Sequence, residues 1–243
     1  MGQSVPIRTR AALGRMRSAV KGVRRAQPDG APLALPGREP LSRAFGADRG
    51  RPIDRWYIER FLGHHRDDVR GRVLEVAERT YTHWYGDGAV TSSDVLYAAD
   101  GLPDATVVGD LTTGDGLPSG AFDCFICTQT LQLIYDVGAA VKGTHDVLAP
   151  GGVLLCTVPA LSQTSRVDRD RWGDWWRFTA ASARRLLGEV YGAANVTVTA
   201  HGNALVAASF LYGLAAEELD PADLEDDDDE YELLITARAV RER

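Results

Sequence analysis

Acidic residues follow the apolar runs of this sequence at the places where buried strands are expected to end. Glu75 lies in the apolar run 73–76, and Asp94 and Asp110 each close a later run of the same kind. Short apolar runs with a polar exit are typical of buried parallel strands. A carboxylate near the end of such a strand faces the crevice in which open α/β sheets bind ligands. The acids therefore predict a ligand site at one edge of a sheet.

A second concentration of chemical groups lies in residues 160–178, which we call the lid. Its aromatic and charged side chains suit a polar acceptor such as a sugar ring, which they would stack against and hydrogen-bond. The same side chains have an alternative role, because stacking and ion pairs also fix a loop onto the following helix. The predicted substrate-binding residues of the lid are Arg166, Arg171, Trp172 and Trp175, and its candidate general bases are Asp174 and Asp170.

The elements that must position these groups alternate between strands and helices. Strands are predicted over residues 73–76, 89–94, 105–111, 121–128, 153–158, 195–200 and 231–239, and helices over 54–62, 137–148, 180–191 and 202–219. This alternation is typical of a doubly wound α/β sheet. Only residues 80–88 separate the first two strands, so the first crossover helix must be short or irregular.

The successive motifs of this chain resemble those of class I S-adenosylmethionine-dependent methyltransferases. The segments that carry the resemblance are Leu-Glu-Val at 74–76, Gly-Asp-Leu at 109–111, Phe-Asp-Cys-Phe-Ile-Cys-Thr-Gln-Thr-Leu at 122–131 and Val-Leu-Ala-Pro-Gly-Gly-Val-Leu-Leu at 147–155. The run Trp-Gly-Asp-Trp-Trp-Arg-Phe-Thr at 172–179 is similar to an element of type 11 methyltransferases linked to sugar and natural-product or polysaccharide pathways. The resemblance implies a Rossmann-like, seven-stranded, mostly parallel sheet with an antiparallel last strand.

The resemblance also implies S-adenosylmethionine as the cofactor. The implied contacts are Tyr57 with the methionine carboxylate, Glu75 and Ala77 in the turn after the first strand, Asp94 with the ribose hydroxyls, Asp110 with the adenine amino group beside Leu111, and Thr128 and Gln129 at the end of the fourth strand. Gln132 is assigned to the acceptor. Three alternatives stay open, namely Tyr57 as a packing residue, Asp110 as the cap of a loop, and Asp100 in place of Asp94 if the second strand runs longer.

The turn after the first strand departs from the family pattern. The family usually carries Gly-x-Gly after the first acid, whereas residues 77–80 read Ala-Glu-Arg-Thr. Glycines in this turn let the backbone approach a ligand closely and take positive φ. Either the turn has another shape, with the hydroxyls of Thr80 and Tyr81 replacing backbone contacts, or the pocket has lost its ligand.

The length, composition and charge of the chain limit how many domains it can form and where it can be located. Its 243 residues suffice for one α/β domain, predicted over 46–243, after a basic N-terminal arm and linker over 1–45 with a helix near 6–25. Net charge is −7, yet the arm is basic. We favour an arm lying on an acidic patch of its own protein or of a partner subunit, such as a homodimer mate, over binding to nucleic acid. No apolar run approaches a membrane span or a signal-peptide core, so we expect a cytoplasmic protein.

Cysteines and histidines add little to the predicted site. Cys124 and Cys127 form a C-x-x-C, but on a strand their side chains point to opposite faces, which argues against a metal or redox pair. We therefore expect no metal. His83 follows the turn after the first strand and is a third candidate for the general base.

Methyl transfer from a sulfonium requires a cofactor crevice, an acceptor site and a group that removes the acceptor's proton. The sequence predicts an O-methyltransferase acting on a sugar or another small hydroxylated metabolite. The alternative is a methyltransferase-like protein that binds S-adenosylmethionine or a metabolite without transferring methyl. Nucleic-acid methylation is disfavoured by the net acidity and by the lack of an Asn/Asp-Pro-Pro-Tyr/Phe motif.

Overall fold

The computed structural model describes residues 37–99, 101 and 103–243, and it contains one seven-stranded sheet in the order β3-β2-β1-β4-β5-β7-β6. The strands are β1 (Gly71–Val76), β2 (Val90–Tyr97), β3 (Val107–Val108), β4 (Phe122–Thr128), β5 (Leu148–Pro159), β6 (Val196–His201) and β7 (Leu234–Val240). The first five strands pair in parallel, whereas β7 runs antiparallel to both β5 and β6. The predicted doubly wound sheet with an antiparallel last strand is therefore confirmed.

Helices cover both faces of the sheet. They are α1 (Ile53–His64), α2 (Thr80–Tyr85), α3 (Val137–Val147), α4 (Arg166–Arg171), α5 (Ala180–Tyr191), α6 (Ala204–Leu211) and α7 (Pro221–Leu224). The crossover helix α2 has only 6 residues, as the short spacing between the first two strands predicted. The helix predicted over 202–219 ends at Leu211, because Tyr212 and Gly213 turn the chain and Gly213 takes a φ of 75°.

Two apolar clusters fill the spaces on either side of the sheet. One lies between the sheet and α3 and α5 and includes Phe125 and Cys127. The other lies between the sheet and α1 and α6 and includes Ile58 and Cys124. Because successive strand residues alternate in direction, Cys124 and Cys127 belong to different clusters, as predicted. The two cores hold the strand ends rigidly at one edge.

The strand β2 extends past its predicted end. It runs to Tyr97 rather than stopping at Asp94, and it pairs with β1 so that Leu74 lies opposite Asp94 and Val76 opposite Leu96. Its first half is polar, yet the backbone pairing continues through both halves. The prediction that Asp94 lies at a strand tip is therefore wrong, because the register with β1 places the tip at Tyr97.

Some predictions fall on residues outside those that the structure describes. These are the helix near 6–25, most of the basic arm, and Asp100, which follows the end of β2. At the start of the described chain, the Leu41 amide donates to the carbonyl of Tyr212 after α6. Within the described residues, no helix is long and apolar enough to cross a membrane.

Candidate active site

A cavity of about 860 Å³ opens at the carboxyl ends of β1, β2, β4 and β5. The strand-end residues that line it are Glu75, Val76, Ala77, Leu96, Tyr97, Ala98, Thr128, Gln129 and Pro159. Asp54 and Arg55 at the start of α1 and several lid residues complete the lining. The cavity thus lies at the edge where the strand-end acids predicted a ligand site.

The cavity contains some of the residues that the sequence singled out and leaves out others. Those that line it are Glu75, Ala77, Asp110, Leu111, Thr128, Gln129, Gln132, Arg171, Trp172, Asp174 and Trp175. Those that do not are Tyr57, Thr80, Tyr81, His83, Asp94, Arg166 and Asp170. Most members of the second group lie on helices, whereas the cavity is lined by strand ends, the start of α1 and the lid, including one side of α4.

Glu75 holds the turn after β1 together. Its Oε1 accepts from the amide of Tyr81 at 3.1 Å, and its Oε2 accepts from the amide of Thr82 at 2.8 Å and from the Thr82 hydroxyl at 2.7 Å. Glu75 is 2% exposed, and burial raises its pKa against the opposing effect of these hydrogen bonds. Both carboxylate oxygens thus satisfy the first turn of α2, which would otherwise leave amide donors unpaired.

Ala77 occupies the first position of the missing glycine motif and adopts the conformation that glycine would supply. Its φ is 68°, and its amide donates to the carbonyl of Leu96 in β2 at 2.9 Å. A residue with a Cβ pays roughly 1–2 kcal/mol for this left-handed conformation. The turn therefore keeps a left-handed residue at its start although the glycine is absent.

Thr80 and Tyr81 do not offer their hydroxyls to the cavity, contrary to expectation. The Thr80 hydroxyl donates to Glu78 at 2.7 Å, and the Tyr81 hydroxyl accepts from Arg55 Nη1 at 2.6 Å. The second contact matters for the site, because Arg55 itself lines the cavity. Among the residues that the structure describes, Arg55 forms no ion pair with a carboxylate.

Tyr57 packs on the far side of α1 from Arg55, so its predicted contact with the methionine carboxylate is not supported. It belongs to the buried face of that helix with Ile53, Ile58 and Leu62. Its ring stacks on His201 at 5.3 Å, away from the cavity at the strand ends. The packing alternative left open for Tyr57 is the one that the structure supports.

Asp94 has protein partners that account for it without a ligand. Its Oδ2 accepts from Arg72 Nε at 2.8 Å, and its Oδ1 accepts from the Thr106 hydroxyl at 2.8 Å. These contacts link β1, β2 and the segment before β3. The end of β2 beside the cavity is formed by Tyr97 and Ala98 instead.

Asp110 and Leu111 line the cavity after β3, as expected from the Gly-Asp-Leu motif. The Asp110 Oδ1 also accepts from the Thr112 amide at 2.6 Å, so this carboxylate caps the loop. Leu111 is 5% exposed. The strand itself is shorter than the predicted 105–111, because only Val107 and Val108 pair with β2.

Two glutamines at the end of β4 present buried polar atoms that lack partners in the described part of the chain. Gln129 takes a φ of 48°, and its Nε2 is unpaired; Gln132 is 7% exposed, and its Oε1 is unpaired. The two amides meet each other at 3.4 Å through their other polar atoms. Unsatisfied buried groups and left-handed non-glycine residues concentrate at ligand sites, so this pair fits a site that holds a polar ligand.

The lid is fixed to the strand ends by its backbone. The amide of Trp175 donates to the Gln132 carbonyl at 2.9 Å, and the amide of Phe178 donates to the Pro159 carbonyl at 2.9 Å. The indole of Trp176 donates to the carbonyl of Ile134 at 3.1 Å. Trp175, in contrast, keeps 53% of its surface exposed while lining the cavity.

Of the three predicted general bases, only Asp174 lines the cavity, and its oxygens are engaged by other groups of the protein. Asp174 is nearly buried, with both oxygens bound by Arg177 and one by the Ser165 amide, and although burial opposes them these contacts lower its pKa. Asp170 pairs with Arg169 outside the cavity. His83 is exposed on α2, also outside it. A carboxylate held ionised by a guanidinium is a weak proton acceptor.

Asp54 is a cavity carboxylate that the sequence analysis did not select as a site residue. The helix α1 begins at Ile53, so Asp54 lies in its first turn, with Oδ1 accepting from the Arg55 amide at 2.8 Å. Burial raises the pKa of Asp54. A carboxyl with a raised pKa beside a cavity is a candidate proton acceptor.

The lid arginines differ in their partners. Arg171 stacks over the rings of Tyr97 at 5.5 Å and Trp172 at 5.0 Å, and it lines the cavity. The two rings meet edge to face at 5.6 Å, which joins the lid to the end of β2. Arg166 starts α4 outside the cavity, so its predicted substrate contact is not supported.

Comparisons with known proteins agree with the fold. Residues 71–156 match the family model described as a methyltransferase domain. A SAM-dependent methyltransferase from Archaeoglobus fulgidus has a similar fold at 10% identity and a TM-score of 0.50, covering 77% of this chain and 94% of that one. An S-adenosylmethionine-dependent methyltransferase from Mesorhizobium loti gives 14% identity and a TM-score of 0.49 over 81% of this chain and 100% of that one. No curated protein matches the sequence.

The sheet order and the antiparallel β7 define the fold of class I methyltransferases. The match to a methyltransferase domain covers residues 71–156, from β1 into β5, and S-adenosylmethionine is the cofactor of that family. The cavity fits this group, since within the described residues it combines an arginine without an acidic partner, a left-handed turn and unpaired amide atoms at adjoining strand ends.

Proposed function

We propose that this enzyme methylates a hydroxyl of a small metabolite, such as a sugar or a natural-product or polysaccharide precursor. The observation that carries the proposal is the cavity that joins the ends of β1, β2 and β4 to the exposed ring of Trp175 in the lid. Strand ends suit a nucleotide-like cofactor, whereas an aromatic lid suits a ring-shaped polar acceptor. S-adenosylmethionine, when bound, supplies an electrophilic methyl group on its sulfonium.

The strand-end half of the cavity would hold the cofactor. Arg55 donates to the phenol of Tyr81 through one nitrogen, so its remaining donors suit a carboxylate such as that of the methionine moiety. Ala77 and Tyr97 lie at the tips of β1 and β2, beside the expected positions of the amino-acid and ribose parts. Asp110 and Leu111 would flank the adenine ring, as the resemblance implies.

Asp54 would accept the proton of the acceptor hydroxyl. A general base works best when its pKa lies near the working pH, and burial moves the pKa of Asp54 in that direction. Gln129 and Gln132 would orient the acceptor, because a hydroxyl can both accept from Nε2 and donate to Oε1. The lid would exclude water and keep the acceptor in line with the methyl group.

The test is a transfer assay with methyl-labelled S-adenosylmethionine and a panel of neutral and acidic sugars, phenols and primary amines. We expect label to appear in at least one hydroxylated acceptor, with an equal amount of S-adenosylhomocysteine formed. Label transferred only to amine acceptors would contradict O-methylation. The variant Glu189→Gln, on the exposed face of α5, serves as the control for the preparation.

A second candidate is ligand binding without methyl transfer. The replacement of the family's glycines favours it, since Ala77 and Arg79 bring side chains to the turn that the family builds from glycine. Tight binding of S-adenosylhomocysteine together with no transfer to any member of the panel is the result that supports this candidate.

A further inference from the structure

Apart from Asp54, which is proposed as the base, the acids that line the cavity accept hydrogen bonds from other groups of the protein, whereas its cations are not all paired with acids. Glu75 binds the start of α2, and Asp174 binds Arg177. Asp168 accepts from the hydroxyl of Ser165 at 2.5 Å. Besides Asp54, the charged groups of the cavity that can bind a ligand are therefore its guanidinium groups.

Three guanidinium groups of the described chain line the cavity, and they differ in what neutralises them. They belong to Arg55, Arg171 and Arg177. Arg177 is neutralised by Asp174, and Arg55 is assigned above to the cofactor's carboxylate. Arg171 forms no ion pair and no hydrogen bond among the described residues, and its side chain contacts the rings of Tyr97 and Trp172.

The contacts with the two rings leave the donors of Arg171 available. A guanidinium that packs against an aromatic ring keeps its N–H donors, and those of Arg171 have no hydrogen-bond partner among the described residues. These donors match the two oxygens of a carboxylate or phosphate. The neighbouring Arg169 makes the contrast, because Asp170 engages it by two hydrogen bonds, at 3.0 and 2.8 Å, outside the cavity.

We propose that the methyl acceptor carries an anionic group, a carboxylate or a phosphate, which Arg171 binds at the lid. This inference rests on the proposed function, and it narrows the acceptor from hydroxylated metabolites to acidic ones, such as a uronate or a sugar phosphate. The rings of Tyr97 and Trp172 hold the guanidinium in place, so little conformational freedom is lost on binding. Arg171 thus selects the acceptor by charge, while the glutamines contact its neutral part.

The test compares probes that differ in charge. The full chain is titrated calorimetrically with D-glucose, D-glucuronate and glucose 6-phosphate, each with and without saturating S-adenosylhomocysteine. We expect at least one acidic probe to bind about tenfold or more tightly than glucose, as a charge-assisted contact implies. Comparison of D-glucuronate with glucose 6-phosphate then shows whether the site binds a carboxylate or a phosphate.

Variants assign the effect to Arg171. Arg171→Gln should remove the preference for the acidic probe, Arg171→Lys should keep part of it, and the matched control Arg169→Gln should leave it unchanged. The inference is overturned if no acidic probe binds more tightly than glucose, or if Arg171→Gln retains the preference. Loss of S-adenosylhomocysteine binding in Arg171→Gln, with the acid preference intact, would also overturn it and make Arg171 a lid contact only.

The two proposals can fail separately. Absence of S-adenosylhomocysteine binding by the unaltered chain contradicts the proposed function, while the titrations run without it still report on Arg171.

Discussion

The turn after β1 and the lid after β5 both line the cavity, and they divide their charged residues in the same unexpected way. In the turn, the motif acid Glu75 binds backbone amides, and the neighbouring Arg55 lines the cavity without an acidic partner among the described residues. In the lid, Asp174 binds Arg177, and Arg171 is left to the cavity. The two regions are fixed by different contacts. The buried carboxylate of Glu75 fixes the turn to the start of α2, whereas backbone hydrogen bonds fix the lid to the strand ends. In both, an acid bonds to the protein and an arginine lines the cavity without an acidic partner among the described residues.

Asp54 differs from these acids because it is proposed as the general base, so its substitution should change the activity most. Asp54→Asn should lower kcat by about 10²–10⁴-fold, the usual loss for a general base, without changing the affinity for S-adenosylhomocysteine. Because burial raises the pKa of Asp54, its basic form accumulates only above that raised pKa, so kcat should rise with pH through it. The variant should lack this rise. An unchanged pH profile of kcat in Asp54→Asn would rule Asp54 out as the base.

A structural role for Glu75 predicts a large loss of stability. Glu75→Ala should lower the free energy of unfolding by about 2–3 kcal/mol, because it leaves amides at the start of α2 without their charged acceptor. Denaturant unfolding measures this loss. The exposed Glu78→Gln provides the control, with a change within about 0.5 kcal/mol. Equal stability of Glu75→Ala and the unaltered chain would show that the turn and the lid are not held by acids in the same way.

Asp174 has the corresponding structural role in the lid. Asp174→Asn weakens the contact with Arg177 and loosens the lid, so we expect KM for the acceptor to rise by about tenfold, the equivalent of one charge-assisted hydrogen bond. The rise of kcat with pH should remain. Steady-state kinetics across pH give both quantities. A fall of kcat by several hundredfold with loss of that rise would instead make Asp174 the base.

Substitution of Ala77 should change the protein least. Ala77→Gly relieves the left-handed conformation but adds freedom to the unfolded chain, so the free energy of unfolding should rise by less than about 1 kcal/mol. The affinity for S-adenosylhomocysteine, measured by calorimetry, should change little, because the turn already has the required shape. A large gain in affinity would mean that the Ala77 side chain obstructs the cofactor.

The sheet was predictable because its signals are local. Apolar runs and the Pro-Gly-Gly segment indicate β4, α3 and β5 directly, and the family resemblance supplied the antiparallel β7. Strand length was less predictable, because it depends on pairing between distant segments. The polar start of β2 hid its continuation to Tyr97, and the predicted tip at Asp94 followed from that error.

The sequence predicted the position of the site at the strand ends, but it predicted fewer of the residues that line it. Motif patterns find acids next to strands, but they do not tell whether a carboxylate faces a ligand or another group of the protein, and Glu75 and Asp174 do the latter. Arg55 was missed because its direction depends on where α1 begins and on the partner Tyr81, which lies in another element. The one available signal was the helical spacing of Ile53, Tyr57 and Ile58, which turns Tyr57 inward.

A calorimetric titration of the chain with S-adenosylhomocysteine, repeated on three variants, decides whether Arg55 forms part of the cofactor site. Arg55→Gln should weaken binding by about tenfold or more, because it removes the donors assigned to the methionine carboxylate. Asp94→Ala, which lies outside the cavity, and Arg60→Gln, on the exposed side of α1, should bind like the unaltered chain. No binding by the unaltered chain, undiminished binding by Arg55→Gln, or a loss confined to Asp94→Ala would contradict a cofactor site built around Arg55.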